Sequence, residues 1–243
     1  MKRFRKLHGF EATKPQFVPH IREANKTKHK DFAMLLQKSG DTFDDVIFTD
    51  ESSFQIGNNR KRVISRIVRD NKGKIISKDI PRISRVKHPL KVHVWGGISR
   101  KGATQVLIFN GIMNAEFYTN QILKNTLLPS IRHLFPAPNS HRFWQDNDPK
   151  HTSKLAKNFM IEHNINWFKT PAESPDLNMI ENVWSSLKHF VSKDNPKNRD
   201  ELVNSIEKHW KSHLTVQQCN KYIDHMYKVL PKVIDADSGF SGC

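Results

Sequence analysis

The sequence is poor in cysteine and has no long apolar run. Its 243 residues include two cysteines, Cys219 and Cys243, which are too few for the disulfide framework of a small secreted domain. No stretch approaches the ~18 apolar residues of a membrane span, and no apolar segment follows the basic start as it would in a signal peptide. Hydrophobic residues still make up 37% of the chain, so it can form a core. These features exclude a membrane protein and a wholly disordered chain, and they fit a reducing intracellular compartment.

Acidic residues are also scarce, with 24 Asp and Glu against 40 Lys and Arg, which gives a net charge of +16. The excess is concentrated in residues 1–38 and 60–100, and the rest of the chain is nearly neutral. Two such segments favour a polyanionic partner, because each neutralised phosphate releases counterions and adds affinity. We therefore predict DNA contacts from a set of basic residues, namely Arg60, Lys61, Arg62, Arg66, Arg85, Lys87 and Lys150. The alternative is a solvated basic face with a nuclear-import signal at residues 59–62, and a nuclear location is expected.

The spacing of apolar residues changes along the chain. The first half has mainly the pattern of strands, and the second half alternates between the patterns of strands and helices. Strands are predicted over residues 46–54, 61–69, 74–80, 91–95, 104–109, 141–148 and 165–168. Helices are predicted over residues 21–37, from Gly111 to before Pro136, over 152–163, from about Asn178, and two or three times more after that. Antiparallel strands followed by alternating elements indicate an α/β fold, a mixed sheet with helices packed against it.

Three acidic residues lie where the predicted secondary structure changes. Asp50 ends the first apolar strand, Asp146 lies near the end of a later strand, and Glu181 lies in the first turn of a helix after a Pro-rich loop. Strand ends and helix starts are places where side chains project into a common cleft. At about 4 Å, two carboxylates repel by about 4 kcal/mol at an effective dielectric constant near 20, so such a cluster would need a cation or would hold a proton.

The chemistry of these side chains points to a hard divalent cation. Oxygen ligands without a Cys and His set favour Mg²⁺ or Mn²⁺ over zinc. Two such ions about 3.5–4 Å apart can activate a water or a 3′-hydroxyl and stabilise the leaving oxygen of a phosphodiester.

Each acidic residue also has a simpler interpretation. Asn178 and Glu181 have the spacing of a helix capping box. Asp148 precedes Pro149, which is typical of a turn residue, and Asp50 beside Glu51 could be a solvated strand end. The spacing by itself leaves both interpretations open.

Four blocks of sequence around these residues carry a resemblance to a known family. They are FTDESSF at 48–54, VWGGIS at 94–99, QDNDPKHT at 145–152 and SPDLNMIENVW at 174–184. In this order, and with 34 residues between Asp146 and Glu181, they resemble the catalytic domain of the Tc/mariner-superfamily DDE transposases. The resemblance extends from about Lys14 to Lys232.

The resemblance implies a ribonuclease-H-like fold, with a mixed five-stranded sheet flanked by helices. It also implies that Asp50, Asp146 and Glu181 bind two Mg²⁺ or Mn²⁺ ions, which drive nicking at transposon ends and attack of the freed 3′-hydroxyl on target DNA. Asp148, His151 and Asn178 would have supporting roles. His151 could lie near the bound phosphate, although packing or capping at a helix start is the commoner role. Gly96 and Gly97 would allow close backbone packing.

The resemblance also predicts a domain organisation and partners. We expect a basic linker arm over 1–40, a catalytic domain over 41–232 and a C-terminal tail over 233–243. The two helix-turn-helix units that precede the catalytic domain in the family are expected to be missing, so the chain could be inactive in isolation. Transposon ends and target DNA are the expected partners, with a homodimer possible and without a membrane or a small-molecule cofactor.

One residue departs from the family pattern, and two alternative functions stay open. Met179 stands where the family usually has proline, which predicts a small loss of rigidity near Glu181 and no loss of a ligand. A catalytically silent, transposon-derived DNA-binding protein is the main alternative function. A general nuclease with the same fold is the third.

Overall fold

A computed structural model describes residues 21–56, 67–71, 73–78 and 89–235. Its strands are β1 Val46–Gln55, β2 Ile67–Arg69, β3 Ile75–Lys78, β4 Lys91–Ser99, β5 Gly102–Ala103, β6 Leu107–Phe109 and β7 Arg142–Trp144. Its α-helices are α1 Glu23–Ser39, α2 Ala115–Phe117, α3 Leu128–Leu134, α4 Lys154–Glu162, α5 Ile180–Asp194, α6 Arg199–His213, α7 Val216–Asp224 and α8 Met226–Asp235. Among the described helices, none is both long and apolar enough to cross a membrane.

The main sheet of the described residues has five strands of mixed direction. Its order is β5, β4, β1 and β7, and β6 pairs with β4 beside β5. Strand β1 runs antiparallel to β4 and parallel to β7. The five-stranded mixed sheet predicted for the chain is therefore confirmed.

Strand β1 is central because both of its faces are covered. Ile47 belongs to an apolar cluster with Leu123 and Phe143, while the next residue, Phe48, belongs to a second cluster with Trp144 and Trp184. Successive strand residues point to opposite faces, so the two clusters lie on opposite sides of the sheet. This burial fixes the position of β1 and of Asp50 and Glu51, which lie in the middle of the strand. The prediction that Asp50 ends the strand was wrong, because the pairing with β4 continues to Gln55.

The hairpin predicted across residues 100–102 is present, but its second strand is interrupted. The hydroxyl Oγ1 of Thr104 accepts a hydrogen bond from the Gly97 amide at 2.8 Å, and the Gln105 amide donates to Ser130 Oγ at 3.0 Å. Side-chain oxygens thus replace backbone partners between β5 and β6.

The strand predicted over 141–148 is shorter than expected, and the prediction was wrong beyond Trp144. Thr170 Oγ1 donates to the Gln145 carbonyl at 2.9 Å, and Asn147 Nδ2 donates to the Thr170 carbonyl at 2.8 Å. Asp146 Oδ1 accepts from the Asp148 amide at 3.1 Å. After Trp144, hydrogen bonds of these side chains with backbone groups, including those between the 145–147 segment and Thr170, take the place of ladder hydrogen bonds. The strand predicted over 165–168 is reduced to a bridge between Trp167 and Phe143.

The long helix predicted after Gly111 is present as three consecutive pieces. Helices α2 and α3 flank a π-helix over Tyr118–Leu127. The hydroxyl of Thr126 donates to the carbonyl of Gln121, five residues earlier, at 2.7 Å. The wider turns place Tyr118 in the interior, against the site described below.

Helix α1 packs on the body of the molecule. Ala33 and Leu36 are buried in the core, and α1 contacts α8. The helix ends at Gly40, which adopts the left-handed conformation (φ 62°) that glycine tolerates best. The described part of the predicted arm is therefore attached to the core, while the division into arm, catalytic domain and tail stays a prediction.

Candidate active site

The pairing of β1 with β7 brings two of the predicted acidic residues together. Ile47 lies opposite Phe143 and Phe48 opposite Trp144 in this parallel register. Asp50 follows Phe48 by two residues within β1, and Asp146 follows Trp144 by two residues in the loop after β7, so both acidic residues lie near this pairing and line one cavity. The Thr49 hydroxyl donates to the Trp144 carbonyl at 2.8 Å, which fixes the two chain segments to each other.

The third acidic residue arrives on a helix that is anchored to β1. Glu181 lies in the first turn of α5. The side-chain amide Nδ2 of Asn178 donates to the Thr49 carbonyl at 3.0 Å, next to Asp50. The N-cap of α5 is Met179, and Asn178 Oδ1 is buried without a hydrogen-bond partner among the described residues. The capping-box interpretation is therefore wrong, because the Asn178 amide is turned towards β1.

Asp50, Asp146 and Glu181 line one cavity of about 290 Å³. Asp148 and Asn178 line it as well, and residues 170–175 form one wall. Within the described ranges, no three His, Cys, Asp or Glu side chains form a ready-made metal site. The structure thus brings the three predicted ligands to a common space without placing them around a single point.

Negative charge accumulates around Asp50. Burial raises the pKa of this carboxyl well above its ordinary value, and the charges of Glu51, Glu181 and Asp146 raise it further. The Glu51 amide, 2.7 Å from Asp50 Oδ1, opposes this effect. The cavity is therefore a place that takes up a proton or a cation.

His151 lies between two carboxylates at the edge of this cavity. Its Nδ1 is 2.5 Å from Asp146 Oδ1, and its Nε2 is 2.9 Å from Glu51 Oε1. Burial alone would lower the pKa of His151, but the hydrogen bonds to Asp146 and Glu51 raise it to about 9. Burial likewise opposes ionisation of Asp146, yet the hydrogen bond from His151 keeps the pKa of Asp146 below its ordinary value. The two carboxylates therefore favour the protonated form of the imidazole.

The His151 ring packs against the ring of Tyr118, which is itself held by a hydrogen bond. The ring centroids of Tyr118 and His151 are 4.2 Å apart, and the Tyr118 hydroxyl donates to Gln145 Oε1.

Glu51 was missed as a site residue by the sequence interpretation, which treated it as a neighbour of Asp50. The adjacent acidic residues Asp50 and Glu51 indicated a second carboxylate near the site. The sequence does not show that the Glu51 carboxylate contacts His151.

Asp148 and Lys150 form a turn at the cavity edge. Asp148 Oδ1 accepts from the Lys150 amide at 3.0 Å, and Lys150 Nζ lies 2.6 Å from Asp148 Oδ2. Asp148 is thus a turn residue that also faces the cavity. The other residues predicted to contact DNA lie outside the described residues: Arg60, Lys61, Arg62, Arg66, Arg85 and Lys87.

The two glycines of the VWGGIS block lie on β4 and permit close packing, although mainly of side chains and not of backbone as predicted. A Cβ atom on Gly96 would lie 2.4 Å from Cη2 of Trp210, and one on Gly97 would lie 2.6 Å from Cγ2 of Thr49. Trp210 also donates from Nε1 to the Thr104 carbonyl at 2.9 Å. Helix α6, which carries Trp210, therefore approaches the sheet where it has no side chain.

The sheet order and the placement of the acidic residues define a ribonuclease-H-like fold with a carboxylate-lined cavity. Solved structures share this fold. A Mos1 transposase paired-end complex with the left transposon end has a TM-score of 0.81 at 15% identity, covering 98% of this chain and 70% of that one. The Mos1 mariner paired-end complex with Mn has a TM-score of 0.80 at 16% identity, with the same coverage.

Sequence comparison identifies the family directly. Residues 45–203 match the DDE superfamily endonucleases. The transposable element Tc1 transposase of Caenorhabditis elegans is 29% identical over 234 residues, which are 94% of this chain and 82% of that protein. The chain belongs to the DDE superfamily endonucleases and, within them, to the Tc1/mariner transposases.

Proposed function

We propose that this chain carries out metal-dependent phosphodiester hydrolysis and strand transfer on DNA during cut-and-paste transposition. The observation that carries the proposal is the shared cavity, in which Asp50, Asp146 and Glu181 meet from a strand, a loop and a helix. Membership of the transposase family supplies the class of reaction. Burial, and then the charges of Glu51, Glu181 and Asp146, raise the pKa of Asp50, and a bound divalent cation would favour the ionised carboxylate.

The side chains present fit Mg²⁺ or Mn²⁺. Asp50, Asp146 and Glu181 are hard oxygen donors, and the buried Asn178 Oδ1 still lacks a partner among the described residues. His151 and the Asp148 amide both hydrogen-bond to Oδ1 of Asp146. The other carboxylate oxygen, Oδ2, is therefore the better placed of the two to bind a metal ion. Bound as a pair, the ions would activate the attacking water or 3′-hydroxyl and stabilise the leaving oxygen. The manganese in a Mos1 complex of the same fold supports this choice.

The protein's own side chains would set the geometry of the reaction. His151, held by Glu51, fixes the rotamer of Asp146. Asn178 fixes the start of α5, and therefore Glu181, relative to β1. Lys150 at the cavity edge would bind a DNA phosphate.

DNA, a second copy of the chain and a nuclear location complete the proposal. The basic segments at 1–38 and 60–100 support DNA binding. The Mos1 relatives of the same fold include a complex with a transposon end. We expect a homodimer from the family resemblance and a nuclear location from the basic residues Arg60, Lys61 and Arg62.

Nicking of supercoiled plasmid with Mg²⁺ or Mn²⁺ tests this function. The unmodified chain should nick the plasmid, and Asp146→Asn should abolish nicking while DNA binding, followed by fluorescence anisotropy, persists. Asp31→Asn, an exposed position on α1, serves as the matched control. Binding without nicking by the unmodified chain would favour the silent DNA-binding protein. Nicking without any joining of a 3′-hydroxyl DNA end to a target would favour the general nuclease.

A further inference from the structure

The start of α1 is hydrogen-bonded to the loop of residues 170–175, which forms one wall of the cavity. The Arg22 amide donates to Glu173 Oε2 at 2.8 Å, and Arg22 Nε donates to Glu173 Oε1 at 2.5 Å. Asn25 Nδ2 donates to Glu173 Oε2 at 3.0 Å. One carboxylate thus accepts three hydrogen bonds from residues that are 148 and 151 positions away in the sequence.

A second contact lies one helical turn further along α1. His29 Nε2 lies 3.0 Å from Asp176 Oδ1, and the two side chains are 0% and 3% exposed. Neither His29 Nδ1 nor Asp176 Oδ2 has a hydrogen-bond partner in the part of the chain that the structure describes. A buried polar pair with unsatisfied atoms is a poor means of gaining stability.

The same loop also has an unfavourable backbone conformation at Glu173. Glu173 has a φ of 58°, in the left-handed region that residues with a side chain seldom adopt. Such conformations persist where the surrounding structure enforces them, and they are concentrated at functional sites. Here the enforcing contacts are those from Arg22 and Asn25.

The loop connects these contacts to the predicted metal ligands. Residues 171–175 line the cavity together with Asp50, Asp146 and Glu181. The turn Pro175–Leu177 leads through Asn178 and Met179 into α5, which carries Glu181. A displacement of Glu173 or Asp176 would therefore move both the cavity wall and the third carboxylate.

We propose that Arg22, Asn25 and His29, with Glu173 and Asp176, form an α1 latch that positions the cavity wall and Glu181 for metal binding and catalysis. These five are positioning residues, since they act through the loop and not on the reacting atoms. The inference rests on the proposed function. It assigns to α1 a part in the active site that is separate from the basic charge of this region.

The test uses Glu173→Gln, which keeps the size of the side chain and removes its charge. Glu23→Gln is the matched control, because Glu23 lies in the same helical turn, is 87% exposed and pairs with Lys26. Three quantities are compared: Mn²⁺ affinity by electron paramagnetic resonance without DNA, amide exchange over residues 170–182, and kcat and KM for nicking. We expect Glu173→Gln to weaken Mn²⁺ binding about tenfold and to speed exchange in this segment. It should lower kcat and leave KM for DNA unchanged, and Glu23→Gln should change none of these.

A second pair of variants covers the case in which Glu173→Gln does not fold. His29→Gln retains an amide donor for Asp176 and should keep Mn²⁺ affinity, whereas His29→Leu should lose it. Unchanged Mn²⁺ affinity in both Glu173→Gln and His29→Leu would overturn the latch, even if the unmodified chain nicks DNA. Weaker Mn²⁺ binding in a chain that never nicks would uphold the latch and refute the proposed function.

Discussion

The imidazole Nδ1 of His151 lies 2.5 Å from Oδ1 of Asp146, while its other nitrogen is held by Glu51. This arrangement fixes the orientation of a carboxylate that we propose as a metal ligand. Outer partners of this kind orient a ligand and tune its basicity. The position of Asp146 therefore depends on residues that would not themselves touch the metal.

Replacing His151 with phenylalanine keeps the ring against Tyr118 and removes both hydrogen bonds. We expect metal affinity or nicking rate to fall about 10- to 100-fold, measured as the nicking rate over a series of Mg²⁺ concentrations. His163→Phe is the control, because that ring packs on Phe159 outside the cavity. An unchanged Mg²⁺ dependence in His151→Phe would show that this contact does not orient a ligand.

A methyl group at Gly96 should destabilise the fold. The added Cβ would overlap Trp210, so we expect Gly96→Ala to lower the free energy of unfolding by about 1–3 kcal/mol in urea denaturation. Adding Trp210→Phe removes the overlapping ring atoms, so the double variant should lose less than the sum of the two single changes. Ser53→Ala, exposed on β1, should be nearly neutral. Full additivity would contradict the overlap.

The buried imidazole of His209 predicts a loss of stability in acid. Burial lowers its pKa to about 4, and the charge of His213 contributes. Because the unfolded chain takes up this proton near pH 6.5, the stabilising effect is present above that pH and disappears as the pH falls towards 4. Urea unfolding at pH 7.5 and 4.5 should show a smaller pH effect for His209→Phe than for the unmodified chain. Exposed His133→Gln should behave like the unmodified chain, and equal pH effects in all three would refute the prediction.

The predicted fold came largely from apolar patterning, which is a strong signal where a strand is buried on both faces. Val46 to Phe48 are fully buried, and the strand predicted there is present. The pattern failed where polar side chains decide the structure. It predicted a strand up to Asp148, whereas Thr170 and Asn147 end β7 at Trp144. It also predicted one regular helix where Tyr118–Leu127 is a π-helix, because apolar spacing does not resolve residues per turn.

The sequence predicted the part of the candidate site that lies in recognisable sequence motifs. Asp50, Asp146 and Glu181 were found from the resemblance and from their predicted positions at element ends, although Asp50 lies in the middle of β1. Glu51 and the latch contacts were not found, because they depend on which way a side chain turns and on pairs distant in sequence. His29 and Asp176 are 147 residues apart and belong to no common local pattern.

The basic segment at residues 60–62 predicts a DNA surface. Changing Arg60, Lys61 and Arg62 to glutamate should weaken DNA binding and flatten its dependence on salt, since fewer counterions are released. Fluorescence anisotropy over a range of salt concentrations measures both effects. The same charge change at Lys193, Lys197 and Arg199, outside the two basic segments, is the control. An unchanged affinity and salt slope would place the DNA surface elsewhere.

The most direct test of the account is an anomalous difference map from crystals soaked in Mn²⁺. We predict manganese peaks within coordination distance of carboxylate oxygens from Asp50, Asp146 and Glu181, and loss of the peaks in Asp146→Asn crystals. Manganese bound elsewhere, or a soaked crystal in which any of the three carboxylates stays away from the ion, would contradict the shared metal site.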